Sequence, residues 1–286
     1  MLRRSIASSD GNRALQDIVR AQIGAGEIED ALRTAQTIAV ESWRDEPLRD
    51  IASELARSQR FTDARDTALR IENLSIRDSA LTALAGALAA AGRFSEAFAT
   101  TEEVHYAANR AEGLCQIATA QKRAGQHARS TFAQARQLAA AEPDWQVRVA
   151  GLFQVATAQA RAGYFSDARA TAEKISLAWP KAEALGVIAG AQARALGSSH
   201  ANFDSAKSMA AAVEGGAERA RALCAIAAEQ RLAGADSSQT DAELLSLLEG
   251  NENGEWGYKL VRDIAAAQAE SNLFDTALVL KQARMT

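Results

Sequence analysis

The sequence contains few of the residues that interrupt helices or that build disulfide-stapled and aromatic cores. It has three prolines and two cysteines in 286 residues, and aromatic residues make up 5% of the chain. Scarce proline and aromatic residues, together with abundant alanine, favour helix and disfavour a β protein. Two cysteines exclude a disulfide framework and a cysteine-rich metal cluster, and they are compatible with a reducing compartment.

Long apolar runs and a strong excess of charge are also absent. No stretch of 18 apolar residues occurs, and the segment that begins the sequence lacks the apolar region of a secretory signal. The net charge is −4, which is not the basic footprint of a nucleic-acid binder. We therefore expect no membrane span, no nucleic acid as the main ligand, and a cytoplasmic location.

The sequence shows no arrangement of residues that indicates catalysis. The HExxH, CxxC, P-loop, GxGxxG and GxSxG patterns are all missing. Three histidines, His105, His127 and His200, occupy unrelated places and are expected in loops or on the surface. We therefore predict that the protein is not an enzyme and has no cofactor or metal site.

A repeated phrase indicates the fold. The chain reads "AGRFSEAFAT" from Ala91 and "AGYFSDARAT" from Ala162, 71 residues later. An apolar residue eight positions before the glycine of each phrase, here named the core position, recurs at steps of 33 or 38 residues. The eight predicted core positions are Ile18, Ile51, Leu84, Ile117, Val155, Ile188, Ile226 and Ile264.

Two further positions recur at fixed distances after each core position. A small residue or valine follows at position +1, and position +8 is Gly in five repeats and Asn272 in one. Glycine and asparagine accept the left-handed conformation that ends a helix. Gln59 and Leu196 break this column, although Gly197 follows Leu196 directly. Each repeat is therefore predicted to be a first helix, a tight turn and a second helix.

The third repeat illustrates the prediction. Five residues at helical spacing form one apolar stripe of the first helix: Ala80, Leu81, Leu84, Ala85 and Leu88. Gly92 is expected to end this helix, and Ser95 is expected to be the N-cap of a second helix that runs to about Val104. Thr62 and Ser166 occupy the same cap position in other repeats.

The segment "LTALAGALAAAGRFSEA" (Leu81–Ala97) resembles the first helix and turn of a tetratricopeptide repeat. "FQVATAQARAGYFSDA", in the fifth repeat, matches in the same way, whereas the period is 33 or 38 instead of 34 and the second helices lack the family's Ala and Pro signature. The resemblance implies a right-handed superhelix whose concave binding face is lined by first helices. We therefore expect an all-α, right-handed α-solenoid of about eight helix-turn-helix repeats, forming one domain over residues 1–286. Residues 1–10 are expected either to cover the first pair or to be disordered.

One column of polar residues is not required by such a fold. Position +4 is leucine at Leu55 and Leu88, and glutamine in the other six repeats. The glutamines are Gln22, Gln121, Gln159, Gln192, Gln230 and Gln268. They form either an internal ladder of amide hydrogen bonds or a row of amides that binds a peptide backbone in the groove.

A second column is basic. At position −7 the ends of the array carry Gly11 and Gly257, and the six repeats between them carry Arg44, Arg77, Arg110, Arg148, Lys181 and Arg219. A cation near a helix N-terminus opposes the helix dipole, so another interaction must compensate. These side chains either cap the carbonyl end of the preceding second helix and pair with nearby acids, or form a basic rail for carboxylates or phosphates of an extended ligand.

Cys115 and Cys224 share position −2, where we interpret them as small packing residues. The function predicted from the whole pattern is a non-enzymatic interaction module that binds a partner protein or extended peptide. The alternatives are single-stranded nucleic-acid binding through the basic rail and a purely structural scaffold subunit. Three adjacent apolar residues in the last helix, Leu278, Val279 and Leu280, further predict weak self-association through that helix.

Overall fold

The computed structural model describes residues 9–197 and 202–249, and every regular element within these ranges is an α-helix. The fourteen described helices are α1 Ser9–Gly24, α2 Ile28–Thr37, α3 Glu41–Arg57, α4 Phe61–Ala68, α5 Leu74–Ala90, α6 Phe94–Glu102, α7 Ala107–Arg123, α8 Arg129–Ala141, α9 Trp145–Arg161, α10 Phe165–Ala172, α11 Ala178–Leu196, α12 Asp204–Ala211, α13 Gly216–Leu232 and α14 Ser238–Glu249. The all-α prediction is confirmed for this part of the chain.

Long and short helices alternate along the chain. The odd-numbered helices have 16 to 19 residues and contain the predicted core positions, so they are the first helices of the pairs. The even-numbered second helices have 8 to 13 residues. The longest of them is α8, which absorbs the five extra residues of the fourth repeat.

The chain divides into two compact units, residues 1–151 and 152–286, and the boundary in sequence lies inside α9. In the first unit, each of α1, α3 and α5 packs against its own second helix and against the next first helix. In the second unit, α11 packs in the same two ways against α12 and α13. Each helical pair therefore buries its apolar stripe against a neighbouring pair.

The predicted core positions are buried in six repeats. Ile51, Ile117 and Ile226 have no exposed side-chain surface, and Leu84, Val155 and Ile188 are at most 2% exposed. The prediction is wrong for Ile18, which is 46% exposed, whereas the neighbouring Val19 is fully buried. No described helix precedes α1, so the face of α1 that corresponds to the interface with a preceding pair is uncovered in this part of the chain.

The predicted glycine turns are present. Gly92 has a φ of +78°, and its amide donates to the Ala89 carbonyl while the Arg93 amide donates to the Leu88 carbonyl. This pair of hydrogen bonds is a Schellman motif. The second helix α6 then begins at Phe94, with Arg93 at the N-cap and no side-chain cap. The N-cap prediction is therefore wrong for Ser95.

The same correction applies to Thr62 and Ser166. Helix α4 begins at Phe61 and α10 begins at Phe165, so both polar residues already lie in the first turn. The residue between the turn and the second helix is Arg60, Arg93 or Tyr164 in these repeats, and none of them caps the helix with its side chain. In α2, α4, α6 and α10 the second helix starts two residues after the left-handed residue, so the turn, and not a serine or threonine, sets the start.

Gln59 is the residue that stands in place of glycine in the second repeat, and its φ of +60° is left-handed. A side chain raises the energy of this conformation by about 1 kcal/mol or more. We therefore expect Gln59→Gly to raise the free energy of unfolding by about 0.5–1 kcal/mol, after the greater freedom of glycine in the unfolded chain is subtracted.

The matched control for this prediction is Gly92→Gln. No atom lies within 4 Å of a Cβ added at Gly92, so the change tests backbone conformation without a clash. It should lower stability by about the amount that Gln59→Gly gains. Urea unfolding measures both variants, and a loss of stability in Gln59→Gly would contradict the interpretation.

No helix in the described ranges combines the length and apolar character needed to cross a bilayer. Some predictions concern residues outside the described ranges, namely residues 1–8, His200, Gln268, and Leu278 to Leu280. The eighth repeat also lies outside these ranges. His105 and His127 lie in exposed loops, as predicted.

Candidate binding surface

Two first helices, α3 and α7, carry the same solvent-facing stripe, whereas the equivalent positions of α9 and α11 include the buried Thr157, Val187 and Gly190. In α3, this stripe comprises Glu46, Asp50, Ser53 and Arg57, which are exposed or half-buried. These residues lie at positions −5, −1, +2 and +6, so they are successive neighbours on one helix face. The equivalent residues of α7 are also exposed or half-buried, namely Glu112, Gln116, Thr119 and Arg123. We name this stripe the exposed face of the first helices.

Two cavities lie between consecutive first helices: the first opens on this stripe of α3, and the second lies at the C-terminal ends of α9 and α11. The first has a volume of about 350 Å³, lies between α1 and α3, and is lined by Arg20, Ile23, Asp50, Ser53 and Arg57. The second has a volume of about 300 Å³ and lies between α9 and α11, in the second unit. Both include an arginine at position +6 of a first helix.

The arginines at position +6 form a column that the sequence analysis missed. Its members are Arg57, Arg123, Arg161 and Arg194. Each lies in the last turns of its helix, where a cation interacts favourably with the helix dipole. Two of them also hold carboxylates: Arg57 pairs with Glu54, and Arg194 Nη1 donates to Glu229 Oε2 at 2.8 Å. Their recurrence at one position was the signal that could have identified them.

The basic column at position −7 is half-buried in all six repeats. Its ionic and polar partners differ from one repeat to the next. Arg44 Nη2 donates to Glu72 at 3.3 Å, and Lys181 Nζ lies 3.6 Å from Glu173. Arg148 Nη1 donates to the carbonyl of Glu142 at 2.6 Å and to that of Pro143 at 3.1 Å. Arg148 thus caps the chain that follows the preceding second helix, which is one of the two interpretations above.

The remaining members of this column are less fully paired. Arg219 pairs with Glu243 of the following second helix, but its Nε is buried without a hydrogen-bond partner. The Nε of Arg110 is likewise buried without a partner, and Arg77 is half-buried. The column therefore includes side chains with internal partners and others with unused donors, and its role as a ligand rail stays a prediction.

The glutamine column faces the second helices in the repeats where its partners are defined. Gln159 is 2% exposed, and its Oε1 accepts a 2.7 Å hydrogen bond from Thr171 of α10. Gln121 Oε1 accepts from Thr131 of α8 at 2.8 Å. Gln230 Nε2 donates to the Asp236 carbonyl at 3.1 Å. Each of these amides joins a first helix to its own second helix or to the turn between them.

Two other members of the glutamine column are half-buried, Gln22 and Gln192. The Oε1 of Gln22 is buried without a hydrogen-bond partner, as is that of Gln230. A role of this column in binding a peptide backbone stays a prediction, and its half-buried members are Gln22, Gln121 and Gln192.

Two buried aspartates at position −6 join successive pairs in the first unit, and the sequence analysis missed them. Asp78 is 1% exposed and accepts from the amides of His105 at 3.0 Å and Tyr106 at 2.6 Å. Asp45, one repeat earlier, accepts in the same way from the amides of Glu72 and Asn73. We name these contacts the aspartate clamps. They hold three consecutive first helices in one repeated register.

Of the two cysteines, Cys115 is buried and Cys224 is half-buried. Burial is the main cause that raises the pKa of the Cys115 thiol to about 12 and that of Cys224 to about 11. Both are free thiols, and Cys115 is 6% exposed. Their environment agrees with the prediction that they are packing residues.

We expect both thiols to react slowly with iodoacetamide in the folded protein, because the thiolate is the nucleophile and little of it forms near pH 8. Alkylation should be on the order of a hundredfold slower than in urea, and mass spectrometry of the intact chain measures it. Rapid labelling of Cys115 without urea would contradict the burial.

Within residues 9–197 and 202–249, no three histidine, cysteine, aspartate or glutamate side chains are grouped as a metal ion would require. Comparison with protein-family models gives no match to this chain, and comparison with curated proteins gives no similar sequence. The resemblance to tetratricopeptide repeats therefore rests on the residues quoted above.

Proposed function

We propose that the protein is a non-enzymatic interaction module, a tetratricopeptide-like α-solenoid with right-handed superhelical twist, that binds an extended peptide of a partner protein on the exposed face of its first helices. The observation that carries this proposal is the place of the two cavities. Each lies between consecutive first helices, so a cavity beside a position +6 arginine occurs in both units.

The aspartate clamps support the same proposal. A ligand that runs across several helices needs them to be held at a fixed spacing, because a flexible surface would lose conformational entropy on binding. Asp45 and Asp78 fix this spacing with the same pair of hydrogen bonds in consecutive repeats. Repeat arrays bind elongated ligands through such periodic surfaces.

Single-stranded nucleic acid is the second candidate ligand, and the arginines at position +6 are the observation that favours it. Arginines on exposed helix ends, two in each unit, could contact phosphates. The net charge of −4 and the pairing of Arg57 and Arg194 with glutamates argue against this candidate. A scaffold role without a peptide ligand is the third candidate, for which the structure supplies no specific observation.

The test is selection of binding peptides from a displayed random library with the full-length protein. Peptides that bind, and whose affinity changes modestly with salt, are the expected result. Preferential binding of a labelled single-stranded oligonucleotide with a steep loss of affinity on adding salt would favour the nucleic-acid candidate instead. If neither a peptide nor an oligonucleotide binds, the interaction proposal is wrong and the scaffold role remains.

Charge reversal in the basic column separates its two interpretations. If Arg77, Arg110 and Arg148 grip the ligand, changing all three to glutamate should abolish binding of a selected peptide while circular dichroism still shows a folded helical protein. If they are structural, Arg110→Ala alone should lower the free energy of unfolding measurably. Unchanged binding together with unchanged stability would contradict both interpretations.

A further inference from the structure

Arg161 is an exposed cation without an internal partner. It lies at the end of α9, at position +6, and the structure shows no ion pair or hydrogen bond of its side chain with the described residues. The two arginines whose pairing at this position is defined, Arg57 and Arg194, both hold a glutamate. Within the described residues, Arg161 differs from Arg57 and Arg194 in lacking a carboxylate, as Arg123 does.

The two glutamates that pair with position +6 arginines occupy the same position of the repeat. Both glutamates that hold a position +6 arginine lie at position +3, either of the same helix, as Glu54 does, or of the next first helix, as Glu229 does. For Arg161 these two positions are Ala158 and Ala191. Position +3 is alanine in six of the eight repeats, so Arg161 has no acid at either of these two places.

The local backbone is adapted to a carboxylate at the neighbouring arginine. A Cβ atom at Gly190 would overlap Glu229 Oε2, so the absence of a side chain there leaves room for Glu229 to cross from α13 to Arg194 on α11. The Glu229 side chain is 15% exposed in this contact. An arginine at position +6 can therefore bind a largely desolvated carboxylate in this unit.

The cavity between α9 and α11 adjoins the Arg161 side chain. Arg161 and Ala191 both line it, and the other lining residues are Ala160, Gly163, Phe165, Arg194 and Ala195. Its volume of about 300 Å³ is at the lower end of the range for small-ligand pockets. Because Arg194 is already paired with Glu229, Arg161 supplies the unbalanced positive charge, and Phe165 and the alanines supply an apolar wall.

We infer that this cavity binds the carboxylate side chain of an aspartate or glutamate in a bound peptide, with the Arg161 guanidinium donating to it and an adjacent apolar side chain packing against Phe165. This inference rests on the proposed function, because it names the chemistry of the peptide that the exposed face would bind. A guanidinium and a carboxylate form two parallel, charge-assisted hydrogen bonds when their geometry allows it.

The test uses two short peptides with blocked ends, one of alternating glutamate and leucine and one of alternating glutamine and leucine. Blocking both ends leaves side-chain carboxylates as the sole anions. The glutamate peptide should bind the full-length protein about tenfold more tightly than the glutamine peptide, as measured by calorimetry at low salt. Arg161→Ala should reduce this preference to about twofold or less, and Arg161→Lys should restore part of it.

Arg169→Ala is the matched control. Arg169 is exposed on α10 of the same unit and does not line the cavity, so the control removes the same charge from a nearby surface. Both substitutions are at exposed residues, and circular dichroism checks that each variant keeps its helix content. The glutamate preference should survive in Arg169→Ala.

Three outcomes would overturn the inference. Equal affinity for the two peptides would be compatible with the proposed peptide-binding function, but it would show that the cavity does not recognise a carboxylate. Equal losses in Arg161→Ala and Arg169→Ala would show that the preference comes from general charge attraction. Binding of neither peptide at millimolar concentration would reject the acidic ligand, and failure of the library selection as well would reject the peptide-binding function with it.

Discussion

Replacing Ile117 with alanine is expected to lower the free energy of unfolding by about 2–5 kcal/mol, which is a large part of the stability of an ordinary domain. Ile117 is fully buried at the core position of α7. The substitution removes buried apolar surface and leaves a cavity, because the closely packed neighbours relax only partly into the vacated space. Urea unfolding followed by circular dichroism measures the change, and a separate early transition would show that only the neighbouring pairs unfold.

Ile18→Ala is the control that the chain itself supplies. Ile18 occupies the same column of the repeat but is 46% exposed, so the same chemical change removes little buried surface. We expect a cost below about 1 kcal/mol. Equal costs at Ile18 and Ile117 would show that burial in the described structure does not determine the contribution of this column.

Removing a single aspartate clamp is expected to have the second largest effect. Asp78→Ala leaves the amides of His105 and Tyr106 without the carboxylate that accepts from both, and it opens space at a site that is 1% exposed. Two hydrogen bonds to a charged acceptor give an expected cost of about 2–4 kcal/mol. Urea unfolding again provides the measurement.

Asp63→Ala is the control for the clamp. Asp63 pairs with Arg60 on the surface, and both side chains are more than 40% exposed. Exposed ion pairs contribute about 1 kcal/mol or less. If Asp78→Ala costs no more than Asp63→Ala, the amides find equivalent partners and the clamps do not set the spacing of the helices.

The helical pairs were predictable because their signal is periodic. An apolar residue and a glycine eight positions later recur at steps of 33 or 38 residues, and both have a direct physical meaning, burial and a left-handed turn. Even Gln59, which breaks the glycine pattern, keeps the left-handed φ, because the neighbouring helices fix the turn. Repetition therefore overrides the local preference of one residue.

Where prediction failed, the cause lay outside the residue concerned. Ser95 has the right side chain for an N-cap, but α6 follows the Schellman motif of the preceding turn so closely that its N-cap is Arg93, two residues earlier. Ile18 has the right side chain for a core, but no described pair covers that face of α1. Propensity describes a residue, whereas capping and burial depend on the elements on either side.

The candidate site was predictable only in part, because a column of like residues does not show which way it faces. The glutamines were recognised as a column, but their contact with Thr131 and Thr171 required the structure. The arginines at position +6 and the aspartates at position −6 recur in the sequence as well. Their roles required the structure, in which Arg194 donates a hydrogen bond to Glu229 and Asp78 accepts one from the next loop.

The aspartate clamps have a consequence for hydrogen exchange. They engage loop amides, those of Glu72, Asn73, His105 and Tyr106, which would otherwise exchange with solvent as freely as other loop amides. In the second unit, the loop before α13 belongs to a repeat in which position −6 is Ala182, so it has no such acceptor. Deuterium uptake along the chain should therefore be uneven at chemically similar loops, with the slowly exchanging loops confined to those that receive an aspartate from the preceding pair.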